Sequence, residues 1–574
     1  MYSAAHTTHR TKRGLKTNTL LWGALALAAG FVFILPVLRL VQTSFIAEGQ
    51  FSLEAYGNVL ARPATWRAVG NSLFIGITST LGAFTLGTAL AWLAAYTDIM
   101  FAGAIRFLAF LPYILPSYSM ALAWRLFCAP GGAAAAVFAL LPGSPAPPNI
   151  YGYGGIIFLH ILTSFPPVFL LMASALRRVP RDMEWAARTA GVKSFRVFWH
   201  INLPLIAPAC MGAATLGFLS IIDNFGIPAI LGIPAGIPVL PTYIYEQIAG
   251  LGSAVFPQAA VLSLLLIAMS LPGPLLQKLL FRPSTDIEAV LPDTSPRVFL
   301  GKLRLPVSLC AVGLLFFLSV IPVCFMAGTA LKQAMGLPLS ADNFTLKNFS
   351  FVLLENLKSR RAIFNSAWLA AACALLCVAA GTALAVSLAK RKSPWPRIVE
   401  TMIQIPYSVP GIVLSLCMIL FWMQPLPGFF PGVYGSSKIL LIVYLTRFLV
   451  VQTKASYSAV AGFDRGLEEA AQASGASALT GWIKIILPLL LPGILSGAIM
   501  VCTGVLTELT LSSLLWSAGS ETIGAAILNF EQAGALKYSS ALSSVVCLAV
   551  ILLFFLSQLP GRYKLKSYTG DVRI

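Results

Sequence analysis

Charge is what this chain has least of: Asp, Glu, Lys and Arg make up 10% of its 574 residues, where a soluble protein carries about 25%. That scarcity excludes a large water-soluble domain housing an ordinary active site. Also missing is any Cys-x-x-Cys pair. The nine cysteines, at 128, 210, 310, 324, 373, 377, 417, 502 and 547, all lie in apolar stretches, which argues against disulfide and zinc frameworks and for buried thiols. No Gly-x-x-x-x-Gly-Lys-Ser/Thr stretch occurs, so the chain has no phosphate loop of its own for ATP. The four histidines stand in no cluster with Cys or carboxylates at ligand spacing, so no metal site is expected. A membrane-embedded enzyme would need such a constellation.

Apolar sequence is abundant. Hydrophobic residues reach 58% and the mean hydropathy is +0.83. Windows of about 20 residues predict twelve transmembrane helices, near 20–45, 68–96, 104–128, 152–176, 205–232, 254–277, 304–331, 363–389, 397–423, 438–459, 488–516 and 539–560. The expected fold class is an all-α polytopic membrane protein. The first run follows Arg10, Lys12, Arg13 and Lys16. It is longer than the roughly 7–15 apolar residues of a signal peptide and lacks a convincing small-residue cleavage site, so it reads as a retained span.

Lys and Arg outnumber Asp and Glu 39 to 20, a balance that could point to nucleic acid. The basic residues instead cluster at span ends. With the N-terminus inside, 27 fall on the cytoplasmic side, nine fall outside, and three (Arg39, Arg125 and Arg447) lie within spans. This bias places both termini in the cytoplasm and assigns much of the basic charge to the lipid bilayer, with no nucleic acid.

The second half restates the first. Asn71-Ser72 recurs as Asn365-Ser366, Gly87-Thr-Ala-Leu-Ala91 as Gly381-Thr-Ala-Leu-Ala385, and Pro112-Tyr113 with Pro116 as Pro406-Tyr407 with Pro410, all 294 residues apart. Further on the offset drops to 284, which puts ten extra residues most simply in the Ala/Pro/Gly-rich stretch 129–150. Six spans per repeat is an even number, so the halves, 1–290 and 291–574, run parallel and not inverted. Residues 282–300 read as the linker between them.

Two loops, 180–204 and 464–488, carry the most informative pattern. The first holds Glu184-Trp-Ala-Ala-Arg-Thr-Ala-Gly191 and ends Ile201-Asn-Leu-Pro204. The second holds Glu468-Glu-Ala-Ala-Gln-Ala-Ser-Gly475 and ends Ile485-Ile-Leu-Pro488. Each reads as a short Ala-rich helix, a Gly permitting a sharp turn, a second short helix, and a Pro opening the next span. Phe195, Phe198 and Trp199, and likewise Leu479, Trp482 and Ile483, fall at i, i+3, i+4 and make an apolar stripe. Such a stripe is covered by the protein's own bundle, by the membrane interface or by a partner groove. Its repetition on one Glu, Gly and Pro framework favours paired docking elements for a two-fold partner.

These loops resemble the EAA motif of binding-protein-dependent ABC importer permeases. Glu469, Ala470, Ala471, Gly475, Ile485, Leu487 and Pro488 match it in the second half, and Ala186, Ala187, Gly191, Ile201, Leu203 and Pro204 in the first. There Trp185 stands at the motif Glu position, and Glu184, aligned with Glu468, comes one residue early. The resemblance implies a transport subunit of a bacterial inner membrane and not an enzyme. It would bind no cofactor itself and would pair with two ATP-binding cassette subunits that hold ATP and Mg, and with a periplasmic or external substrate-binding protein.

The stretches Pro116–Trp124, Ala129–Gly132, Asp223–Gly232 and Pro238–Tyr245 resemble fused ferric iron permeases, so the implied cargo is ferric iron. Similar fused chains serve thiamine and aminoethylphosphonate, and another organic phosphate is a further alternative. An ion-coupled secondary transporter or a membrane scaffold would instead need no ATPase. Charged residues inside spans are costly and suspect, which makes Asp223, Glu508, Arg125 and Arg447 candidates for a substrate pathway. In the structural alternative each carboxylate caps a helix end or pairs with an arginine, and His160 is packed or hydrogen-bonded.

Overall fold

A computed structural model describes residues 22–47, 50–135, 149–251, 255–280, 293–337, 340–390, 393–423, 433–462, 466–475 and 477–568. Much of the expected insertion (136–148) and of the expected linker (282–292) lies outside them. Ten helices among the described residues are long and apolar enough to cross a bilayer, from Trp22–Ser44 to Leu536–Ser557. Their outward faces carry Leu27, Phe364 and Leu375, a surface suited to lipid and not to water. The strands Ile46–Ala47 and Gln50–Phe51 form one short antiparallel hairpin. The protein is an all-α polytopic membrane protein.

The remaining two expected spans, the third and the ninth, are not continuous helices. Each is a pair, bent by 101° between Ala102–Ile114 and Ser117–Ala135 and by 110° between Trp395–Ser408 and Gly411–Trp422. Prolines cause both breaks. Pro116 and Pro410 disfavour helical backbone in the residue before them, and Leu115 (ψ 143°) and Val409 (ψ 134°) are extended accordingly. The fifth and eleventh spans end at Asp223 and Leu506, short of the expected 232 and 516, because the chain leaves the helix for a loop and a further short helix.

Two compact units form. One takes in the described residues of Met1–Ser52, Asn356–Ala526 and Leu548–Ile574, the other those of Leu53–Glu355 and Ile527–Cys547. The tandem halves are units of sequence, whereas the compact units exchange the first span of each half. In one unit Phe31 packs edge-on against Phe421 and Trp422, with centroids 5.3 and 5.9 Å apart. In the other Phe317 meets Trp124 and Phe127 at 6.1 and 5.8 Å.

The repeated sequence signatures acquire reasons inside each unit. A Cβ on Gly87 would lie 2.9 Å from the Phe165 carbonyl and the Val168 side chain, and one on Gly381 would lie 3.0 Å from Gln452, so both glycines allow helices to approach closely. The Asn-Ser pairs pin backbone further along the chain. Asn71 Nδ2 donates to the Pro238 carbonyl (2.8 Å) and the Leu240 N–H donates to Ser72 Oγ (2.8 Å). In the second half Asn365 Nδ2 donates to the Gly519 and Glu521 carbonyls (3.0 Å each) and the Ile523 N–H to Ser366 Oγ (2.9 Å).

Candidate functional site

The two expected docking loops fold alike. Helix Arg181–Thr189 is followed by Gly191, a turn of helix Ser194–Val197, a π-turn Phe198–Asn202 and the span Leu203–Asp223. Helix Gly466–Ala473 is followed by Gly475, Ala478–Gly481, Trp482–Ile486 and Leu487–Leu506 in the same order. Gly191 and Gly475 both adopt left-handed backbone, φ +83° and +82°. Around Gly191 the N–H of Val192 donates to the Ala187 carbonyl and that of Gly191 to the Arg188 carbonyl, 3.0 Å each. That pair of bonds is a Schellman termination, which satisfies carbonyls left open at the helix end.

The Leu-Pro ending has a local cause too. Pro204 and Pro488 lack an N–H and would crowd the carbonyl four residues earlier. The chain widens one turn ahead of each, so that the Leu203 N–H reaches the Phe198 carbonyl and the Leu487 N–H the Trp482 carbonyl, a π-type bond. Pro204 and Pro488 are exposed, and Phe198 and Trp482 half-buried. The side chains of Phe195, Glu468, Ala471 and Leu479 lie outside the described residues.

The one-residue displacement of the first-loop glutamate changes what it does. Neighbouring helical positions point about 100° apart. Trp185, at the motif position, is 55% exposed, whereas Glu184 is 3% exposed. In the second loop Glu469, at Trp185's position, is exposed, as is Ala470; in the first, Ala186 is exposed and Ala187 half-buried. Glu184 Oε1 faces Arg297 Nη1 at 2.8 Å and accepts from the Tyr96 hydroxyl (2.9 Å) and from Asn202 Nδ2 (2.7 Å). It is therefore an internal anchor and offers no outward carboxylate. Sequence reasoning missed Arg297, Tyr96 and Asn202, since only the Ile-Asn-Leu-Pro ending drew attention to the last.

The described part of the linker, from Asp293, is laid against this anchor. Arg297 also donates to the Val179 carbonyl (2.6 Å), and its guanidinium lies 4.8 Å from the Tyr96 ring centroid. Arg181 pairs with Asp293 (3.4 Å) and donates to the Pro296 carbonyl (2.8 Å). Hydrogen bonds from the Ser295 hydroxyl and N–H, reinforced by Arg181 and Arg297, hold the Asp293 carboxyl below the usual aspartate range.

The four charged pathway candidates have local partners. Glu508 Oε2 accepts from the Leu511 N–H (2.9 Å) at the start of helix Ser512–Leu515, and its aligned residue Asn224 accepts from the Ile227 N–H (3.1 Å); both act as caps. Asp223 ends its span, half-buried. Arg125 pairs with Glu531 and lies over the Tyr151 ring. Arg447 Nη1 donates to the Tyr407 and Val409 carbonyls, 3.1 and 2.8 Å, closing the break of the second bent pair.

Comparison with known proteins matches residues 83–282 and 378–560, one stretch in each half, to the family described as binding-protein-dependent transport system inner membrane component. The chain is 26% identical to the probable ABC transporter permease protein y4fN of Sinorhizobium fredii, over 91% of this chain and 92% of that one. It is 24% identical to the ferric transport system permease protein FbpB of Actinobacillus pleuropneumoniae, over 92% of this chain and 76% of the relative. The spermidine/putrescine transport system permease protein PotC of Escherichia coli is 28% identical over 40% of this chain and 85% of its own length.

Proposed function

The chain belongs to the family of binding-protein-dependent transport system inner membrane components, the permeases of ABC importers, and from that premise we propose that it forms the whole permease of a ferric iron importer. The observation that carries the mechanism is the pair of loops at Gly191 and Gly475. Two equivalent helix-turn-helix elements, each leading into a span, suit a pair of ATPase subunits. Movement imposed on the loops is passed to the spans through Leu203-Pro204 and Leu487-Pro488. In this reading both loops and both termini face the cytoplasm, and an external binding protein delivers the cargo.

Iron(III) is the favoured cargo because the ferric permease FbpB matches this chain through both tandem halves, over 92% of its length, whereas the polyamine permease is a shorter chain, matched over 85% of its own length and 40% of this one. Glu508 accepts from a backbone N–H, Arg125 pairs with Glu531 and Arg447 donates to two carbonyls, and a pathway that must release its cargo needs only brief contacts from such groups. The test is uptake by the permease reconstituted with its own ATPase subunits and binding protein, comparing iron(III) with thiamine, phosphonates and polyamines. ATP-dependent accumulation of iron(III) is expected. Uptake of an organic phosphate or a polyamine without iron would overturn the cargo, and uptake that needs no ATP would overturn the importer mechanism.

A further inference from the structure

The two loops are seated by different physical means. In the second, Ile486 packs with Leu490 and Ile494 in an apolar cluster that Trp482 and Leu487 extend. In the first, the residue aligned with Ile486 is Asn202, and the seat is the buried set of Glu184, Arg297, Tyr96 and Asn202. Lys390 stands at the position aligned with Tyr96, so the second half lacks two of the four groups. Arg297 belongs to neither loop and comes from the segment that joins the halves.

The described part of that segment, from Asp293, is stitched down. The N–H groups of Arg297 and Val298 donate to the Tyr96 carbonyl (2.8 Å each), and that of Asp293 donates to the Arg177 carbonyl (2.8 Å). The Leu300 N–H donates to Asp98 Oδ1 (2.9 Å) and Arg304 Nε to the Asp98 carbonyl (2.6 Å). The stitches fall where two spans of the first half end, at Tyr96 and Arg177. A flexible tether would need none of them.

We propose that the linker stretch from Asp293 to Leu300 is a brace and Arg297 a positioning residue, which through Glu184 makes the first docking helix move as one body with the spans ending at Tyr96 and Arg177. The proposal rests on the importer reading above. Removing one member of a buried ion pair leaves the other charge uncompensated, but removing both does not. The double variant Glu184→Gln/Arg297→Gln therefore keeps the chain folded while abolishing the ionic clamp. The three variants, two single and one double, are compared with wild type in proteoliposomes holding the full complex, reading cargo transported per ATP hydrolysed.

The ratio is expected to fall roughly tenfold in the double variant, the population shift that loss of one charged hydrogen bond produces. Each single variant should fall at least as far, with no additivity between them. A defect of folding alone would lower the amount of complex and leave this ratio unchanged. Wild-type coupling in the double variant would overturn the brace while leaving the importer reading intact. ATP-independent uptake by the wild-type complex would instead sink that reading, and the brace with it.

Discussion

Replacing Gly191 or Gly475 separates the demands of the turn from those of docking. Both glycines sit at φ +83° and +82°, and a Cβ at either would meet nothing within 4 Å. An alanine there suffers no clash, so its whole effect is the backbone cost of left-handed conformation, about 1–2 kcal/mol for an L-residue. That lowers the population of the turn by about 5- to 30-fold. Asparagine tolerates the region better and should retain most of the wild-type behaviour, whereas tryptophan adds a bulky side chain on the exposed face and should obstruct a partner as well. The assay is ATP-driven uptake by the reconstituted complex, with co-purification of the ATPase subunits as the second readout. The expected order is Gly, then Asn, then Ala, with Trp lowest and the chain still inserted in the membrane. If Ala matched Gly while Asn did not exceed Ala, positive φ would not be the constraint; normal ATPase binding and uptake in Gly475→Trp would remove the docking role.

Trp185→Glu, which restores the family's residue on an exposed position, should be tolerated in uptake, whereas Glu184→Ala should lower the stability of the purified protein by no more than about 3–5 kcal/mol, because buried Arg297 loses its partner at 2.8 Å and keeps the more distant Asp293 at 3.8 Å. Asn365→Ala frees two carbonyls, whereas Asn71→Ala frees one carbonyl and the exposed Tyr153 hydroxyl, which water can satisfy. At about 1–3 kcal/mol for each buried group left unsatisfied, Asn365→Ala should show the larger loss in thermal denaturation in detergent, and the opposite order would refute this accounting. Reporters fused after residues 190 and 475 should both read cytoplasmic and those near 145, 345 and 525 periplasmic; opposite sides for the two loops would end the parallel-repeat arrangement.

The sequence by itself determined the spans, the repeat and the two loops, because each is written in local pattern. An apolar run long enough for a bilayer can satisfy its backbone only as a helix. Gly191 and Gly475 stand where their helices must end, and Pro204 and Pro488 where the next must begin. Even the breaks at Leu115 and Val409 were latent in Pro116 and Pro410, though a hydropathy window averages over a proline and read each pair as one span. The tertiary structure alone decided which first span packs in which unit, since Phe31 and Phe421 are both merely apolar until they touch. It alone turned Glu184 from an expected docking group into the partner of Arg297, 113 residues away. A helix rotates each successive side chain by about 100°. Moving a glutamate by one position therefore changes the face it occupies, and which face is buried is set by the segments that fold against it.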